Sequence, residues 1–242
     1  MIAPKTLNGG LIASSKRTAS KRPLLWGLPE HLSTNLFRGA TPICLGVDQV
    51  LFHAGDAGDG CYRVDDGLLK VNMLSLSGKE RILCFLGPSA VVGELSMIDG
   101  LPRSASVVAV RPAALSFLSR DAFKTFATKH PEIYEYLVML LAGRLRETDA
   151  AIAAGSFLPN KGRLACTLLE LAGDFGHDVG GRIVIRQKID QSDLAAMAGI
   201  ARESASRIIN DWERCKMISR LSGYYCIENK DQLQHEAELS AY

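Results

Sequence analysis

The sequence predicts an α+β fold in three parts: an antiparallel β-roll or barrel, a long helix, and a winged helix-turn-helix. Three observations carry that prediction. Between about Ile43 and Phe117, short alternating apolar stretches are separated by Asp-Gly, Ser-Gly and Gly-Pro pairs, the pattern of short strands joined by tight turns. At Arg120 the alternation stops, and apolar residues recur at helical spacing as far as Ala154. Beyond residues 155–163, a stretch holding Gly, Pro and Asn, two helical segments flank Gly199 and a hairpin pattern follows.

Taken in order, residues 1–24 carry Lys16, Arg17, Lys21 and Arg22 but no apolar core long enough for a signal peptide, and are expected to form a flexible basic tail. The roll is assigned to residues 25–130. Its strands include "CYRVDDGLLKV" (61–71), "RILCFLG" (81–87) and "ASVVAV" (105–110). "AGDAGDG" (54–60) is a turn-forming stretch, where Gly tolerates positive φ and Asp can bond its own backbone. A short helix after Arg120 breaks at His130-Pro131, and the long helix is assigned to 131–157, with Pro131 suited to its first position. On it Tyr134, Val138, Leu141, Leu145, Thr148 and Ile152 are spaced 4, 3, 4, 3, 4, a heptad seam. Such a stripe packs either on the roll or on a second copy of the helix. One small roll is too short to cover it, which favours a homodimer through residues 134–152.

A hinge is expected at 158–160, and residues 161–242 are assigned to the winged helix-turn-helix. There "KGRLACTLLELAG" (161–173) reads as an amphipathic helix ending at Gly173, and "GGRIVIRQKI" (180–189) as a strand. "ISRLSGYYCIE" (218–228) reads as a hairpin turning at Ser222-Gly223, and the last residues as a polar helical tail.

Composition narrows the function. The chain has 242 residues, 47% hydrophobic and 22% charged, with a net charge of +2. Its longest apolar run, Tyr136 to Ala142, is far below the ~18 residues of a membrane span, so a cytoplasmic protein without a membrane partner is expected. The cysteines (Cys44, Cys61, Cys84, Cys166, Cys215, Cys226) are scattered without a C-x-x-C pair, and the histidines show no H-E-x-x-H spacing. The cysteines are therefore expected to be buried small hydrophobes, and no metal site is expected. No nucleophile–base pair emerges, so no catalytic residue is named and an enzyme is not expected. The overall charge does not single out nucleic acid, but between Arg182 and Arg220 eight bases stand against five acids, a mild local excess.

"QSDLAAMAGIARESASRIIN" (191–210) fits a helix-turn-helix. Ala195 is small where the helices must approach, Gly199 stands where the turn needs positive φ, and Ala205 and Ile208 supply the second helix's apolar face. That helix begins near Ala201 or Arg202, so its first two turns present Arg202, Glu203, Ser206 and Arg207. Those are the positions from which a recognition helix touches base edges in the major groove. Arg can grip guanine O6 and N7, and Glu can accept from cytosine N4. A plain helical hairpin with a solvated charged face remains the alternative at this point.

"GELSMIDGLPRSASVV" (93–108) holds one acid and one base apart in a mostly apolar segment, with only small residues around the base. A pocket for a small anion with a hydroxyl-bearing neighbour would need that arrangement. An ion pair bracing the roll is the simpler alternative.

With these residues in hand, the chain resembles the cyclic-AMP receptor protein/fumarate-nitrate regulator (CRP/FNR) family of bacterial transcription factors, over roughly residues 35–228. "GELSMIDGLPRSA" is similar to the family's phosphate-binding cassette, "GDAGDGCYRVDDGLLKV" to its glycine-rich roll, and "ARESASR" to its recognition helix. The resemblance implies a roll of the double-stranded β-helix or jelly-roll type that binds cyclic AMP. Arg103 would pair with the cyclic phosphate, helped by Ser104 and by backbone amides near Gly93 to Leu95. Glu94 would accept from the ribose 2′-hydroxyl. Thr148-Asp149 stands where the family places a Thr-Ser pair against the base, on the seam, so it can reach a nucleotide in either protomer.

The resemblance further implies a homodimer on double-stranded DNA, with Arg202, Glu203 and Arg207 reading a palindromic TGTGA-like operator. It extends to a contact with RNA polymerase through the loop around Gly173 to Gly181. Three departures stand out. Asp149 replaces a hydroxyl, and a carboxylate can accept from guanine N1–H and N2–H₂, so cyclic GMP is expected to bind alongside cyclic AMP unless Asp149 points to solvent. "GPSAVVGE" lacks the Gly-Asp usually preceding the cassette. Ala201 stands where Ser or Thr would cap the recognition helix, a loss of ~1 kcal/mol. Two alternatives stay open: a ligand-independent family member, and a cyclic-nucleotide module that regulates a protein partner.

Overall fold

Two long strands build the roll. The computed structural model describes residues 30–238; the basic tail assigned to 1–24, and residues 239–242 of the C-terminal tail, lie outside the described residues. Strand β3 (Gly60–Leu74) pairs antiparallel with β6 (Ser106–Ser119), from Gly60 opposite Ser119 to Asn72 opposite Ser106. The register shifts between Val64 and Leu69, and such bulges let one strand pair bend round two layers. Gly67 sits there at φ 99°, packed so tightly on Pro112 and Ala113 that a Cβ would collide with them. Shorter strands complete the roll: β1 (Thr41–Leu45) and β2 (Val50–Phe52) on β6, β4 (Glu80–Leu86) and β5 (Val91–Val92) on β3. The interior is filled by Leu45, Val64, Leu69, Val92, Val107, Ala109 and Leu115.

Helix α1 (Glu30–Leu36), within the stretch assigned to the roll, precedes the strands, and its Leu32 and Leu36 are buried. Helix α2 (Glu94–Asp99) follows β5 directly, and α3 (Arg120–Lys129) follows β6. Pro131 and Glu132 form a turn, and the long helix α4 runs from Ile133 to Phe157. Its inner stripe is Ile133, Leu137 and Leu140, which pack on α1, α3 and the roll. The heptad stripe is a different face: Tyr134, Val138, Leu145 and Ile152 are 51–65% exposed. The roll therefore does not cover that seam.

Leu158 and Pro159 are extended between α4 and α5 (Asn160–Phe175). Helix α5 continues through Gly173, where it was expected to stop, because a mid-helix glycine costs only about 1 kcal/mol and nothing crowds that position. It ends at Gly176, where a Cβ would collide with the carbonyl of Ala172. The stretch expected as a loop, 173–181, is thus the last helical turn and strand β7 (Gly176–Val179). A Gly180-Gly181 turn, both at positive φ, leads into β8 (Arg182–Ile185). With β9 (Ile218–Leu221) and β10 (Tyr224–Ile227) these form one four-stranded sheet, order β7-β8-β10-β9, whose β9–β10 turn falls at Ser222-Gly223 as the sequence suggested. The polar tail is more than a tail: α8 (Lys230–Glu238) buries Leu233 completely and packs against α5.

The C-terminal core does not close on itself. Leu164, Leu168, Leu194, Ile209 and Trp212 form one continuous cluster with Leu68, Ile82 and Phe85 of the roll. At its edge the Lys70 ammonium lies 3.0 Å from Glu80 and 3.4 Å from Asp193 in α6 (Gln191–Ala198). No helix among the described residues is long and apolar enough to cross a membrane.

Candidate functional site

Glycines shape the first site. Gly93 precedes α2 at φ 80°, and any side chain there would run into the Arg103 guanidinium. Gly58 is equally tight: a Cβ would lie 2.8 Å from Arg103 Nε. The backbone of Arg103 is held by its N–H donating to Asp56 (2.8 Å) and its carbonyl accepting from Gly55 (2.8 Å). Its Nη1 donates to the carbonyls of Gly60 (2.7 Å) and Gly93 (2.9 Å), and its guanidinium carbon lies 4.4 Å from the centre of the Phe52 ring. Arg103 is only 5% exposed, its Nε has no partner, and among the described residues no carboxylate pairs with it. A buried cation without a counter-ion is costly, and a bound anion would remove that cost.

Glu94, 1% exposed, does not pair with Arg103. It accepts instead from Arg144 Nη1 of α4, while Arg144 Nη2 donates to the Val91 carbonyl at 3.0 Å. The ion pair imagined between positions 94 and 103 is thereby excluded. Sequence reading missed Arg144, although a signal was present. Ile133, Leu137, Leu140 and Arg144 are spaced 4, 3, 4, so the arginine ends the stripe that faces the roll, where a charge needs a partner. Between acid and base lies Cys61, whose thiol is pushed far up by burial, further by Glu94, and lowered only in part by Arg103. It stays neutral. Burial likewise raises the Tyr62 phenol, against the opposing charge of Arg103.

The structure brings Gly93, Glu94, Leu95, Arg103 and Ser104 into one cassette, with Leu95 and Ser104 exposed at its rim. Thr148 and Asp149 are exposed on α4, and the Thr148 hydroxyl donates to the Arg144 carbonyl at 2.9 Å. Thr148 therefore stands one turn beyond the arginine that holds Glu94.

The second site is the helix pair. Asp190 caps α6 by accepting from the Asp193 N–H at 2.7 Å, and Gly199 takes φ 65° at the turn. Helix α7 (Arg202–Arg214) starts after Ala201 with no side-chain cap, as expected from its methyl group. Ala195, Ala205 and Ile208 are buried between the helices. Arg202, Glu203, Ser206 and Arg207 line one open concavity with Gln191. Part of the local base is neutralised: Arg214 pairs with Asp211, and Arg220 pairs with Glu213 through two bonds of 2.5 and 2.8 Å. Arg186, Lys188, Arg202 and Arg207 form no ion pair among the described residues. No three His, Cys, Asp or Glu side chains there group as metal ligands.

Comparison with known proteins finds a known domain over each of the two regions. Residues 45–130 match the cyclic nucleotide-binding domain, and residues 162–236 the Crp-like helix-turn-helix domain. The CRP-like cAMP-activated global transcriptional regulator of Mycobacterium tuberculosis is 30% identical over 81% of this chain and 85% of its own. The cyclic AMP receptor protein of Thermus thermophilus is 36% identical over 66% of this chain and 71% of its own. A solved CRP/FNR-family transcriptional regulator, also from Thermus thermophilus, superposes with a TM-score of 0.67 at 25% identity, covering 82% of this chain and 98% of that one. These relatives are transcription regulators, not enzymes. With a cyclic nucleotide-binding roll joined to a Crp-like helix-turn-helix, the chain belongs to the CRP/FNR family of DNA-binding transcription regulators.

Proposed function

We propose that the protein is a cytoplasmic, homodimeric regulator whose binding to a palindromic TGTGA-like operator depends on cyclic AMP, with cyclic GMP as a second ligand. The observation that carries this reading is the buried Arg103, whose Nε has no partner and which pairs with no carboxylate among the described residues. Arg103 and Ser104 hold the cyclic phosphate through charge-assisted bonds, with the amides from Gly93 to Leu95. Glu94, held in place by Arg144, accepts from the ribose hydroxyl. Thr148 and Asp149 of the second protomer meet the base, and the Asp149 carboxylate accepts from guanine N–H groups.

The uncovered apolar stripe of α4 supports pairing with a second copy, which buries Val138, Leu145 and Ile152. The roll (25–130), long helix (131–157), hinge (158–160) and winged helix-turn-helix (161–242) act as units. Occupancy of the pocket biases the paired helices, and the recognition helices come to lie about 34 Å apart, one DNA turn. Arg202, Glu203, Ser206 and Arg207 read base edges. The end of α5 and the β7–β8 hairpin contact RNA polymerase. Titration calorimetry with cyclic AMP and cyclic GMP, each repeated with operator DNA present, tests the reading. Saturable heat and nucleotide-enhanced DNA affinity are expected; equal DNA affinity with and without nucleotide would replace it by a ligand-independent regulator.

A further inference from the structure

We propose that Arg120 is a positioning residue that makes the cassette helix α2 and the α3–α4 arm move as one body, an inference that rests on the nucleotide reading above. Its backbone N–H donates to Asp59 (2.6 Å), in the loop that also presents Gly58 to Arg103. Its Nη2 donates to the Ile98 carbonyl (3.2 Å) in the last turn of α2. The guanidinium lies against Gly100, the left-handed residue that ends α2 at φ 76°, so closely that a Cβ there would displace it. A cation is favourable at a helix C-terminus, where unpaired carbonyls concentrate negative charge.

The other end of α2 is also held by an arginine, here through a side-chain ion pair of Arg144 with Glu94. One six-residue helix is thus clamped at both ends by arginines from two consecutive helices. A displacement of α2 by a ligand at Glu94 and Arg103 cannot leave α3 and α4 in place without breaking one clamp. Among the described residues the buried Arg120 Nε has no partner, so the bond to the Ile98 carbonyl is the guanidinium's hydrogen-bonded anchor.

The test uses the full chain with Arg120→Met, which keeps the stem and removes the donors, and Arg120→Lys, which keeps one. Hydrogen exchange without nucleotide reads the clamp directly: in Arg120→Met, exchange quickens severalfold both in residues 94–100 and in 133–145, while residues 60–74 are unchanged. With cyclic AMP, the nucleotide-induced gain in operator affinity falls at least tenfold, and Arg120→Lys recovers part of it. Gly100→Ala, which pushes the guanidinium out, lowers the gain in the wild type and adds little to Arg120→Met. Faster exchange in 94–100 alone, or a gain within twofold of wild type, overturns the proposal. A wild-type protein that ignores nucleotide instead refutes the functional reading, and the exchange result still decides whether the clamp exists.

Discussion

Arg144 on the long helix and Glu94 at the head of the cassette helix form an ion pair across 50 residues of sequence. The acceptor is buried and the donor side chain is 39% exposed, so the pair joins the cassette to the helix that carries the exposed apolar stripe. Removing one partner of a buried pair strands the other charge, at 3–5 kcal/mol when both are dry. Water reaches this arginine, so Arg144→Met is expected to cost about 2–3 kcal/mol in urea unfolding. Adding Glu94→Gln should return part of that loss, because the stranded charge is then gone. A strictly additive double variant would show that the two side chains do not act together.

Arg103→Leu removes two hydrogen bonds to backbone carbonyls, at about 1 kcal/mol each, but also removes a buried cation that has no counter-ion among the described residues. The two effects offset, so the melting temperature should stay within about 5 °C of wild type. Nucleotide heat should vanish in calorimetry. A folded variant that still responds fully to nucleotide would place the anion elsewhere.

The exposed seam makes its own demand. Val138→Glu with Leu145→Glu puts like charges where a second helix would pack, and desolvating them is prohibitive. Sedimentation should give the monomer mass for this variant and twice that for wild type, with circular dichroism unchanged.

Asp193 carries a pH prediction. Burial raises its carboxyl above the usual range, more than the facing Lys70 lowers it, and Asp190 and Glu80 add to the rise. The Lys70 ammonium loses by burial but is held above its usual value by Glu80 and Asp193. A carboxyl whose folded pKa exceeds its unfolded one favours the folded state most at low pH, and that contribution is lost as pH rises through the folded value. Asp193→Asn should therefore be more stable than wild type at pH 7, by up to about 1 kcal/mol, with Glu80 still paired to Lys70. The difference should shrink as pH falls into the carboxylate range. Urea unfolding at several pH values checks the sign, and a less stable Asn variant at pH 7 would mean that the ion pair outweighs its burial.

Local chemistry was legible in the sequence, and long-range pairing was not. Gly199 and the Ser222-Gly223 turn could be placed because positive φ selects residue type directly. The exposed heptad stripe of α4 could be placed because its period is local. Strand β1 was not assigned a position of its own: its burial pattern does not alternate, and its partner in β6 lies some seventy residues on. The end of α5 was misjudged because Gly173 is uncrowded, whereas Gly176 meets a backbone carbonyl that no sequence pattern displays. The docking of Leu68, Ile82 and Phe85 on the C-terminal core likewise has no local signature. These side chains read as ordinary strand residues until the second core arrives. Arg144 ends a stripe that the sequence displays, but its partner Glu94 lies 50 residues away and no local pattern links the two.

Base readout makes the last prediction. Arg202 opens α7 without a side-chain cap before it, is exposed, and forms no ion pair among the described residues. Arg207 differs, because its Nε donates to the Glu203 carbonyl one turn back at 3.3 Å, which commits part of its fork. The free fork of Arg202 suits bidentate contact with guanine O6 and N7. Arg202→Ala should then cost roughly 1–3 kcal/mol of operator binding and relax the preference at one G·C pair, leaving the salt dependence nearly unchanged. Lys188, which also forms no ion pair among the described residues and whose ammonium lies 5.3 Å from the centre of the Tyr224 ring, provides the contrast. Lys188→Ala should weaken all sequences alike and lower the salt slope by about one, as loss of a phosphate contact does. Competition gel shifts over single-base operator variants, repeated at several salt concentrations, separate the two behaviours. If Arg202→Ala weakens every sequence equally and flattens the salt slope, it touches phosphate, and the bases are read by Glu203, Ser206 and Arg207 alone.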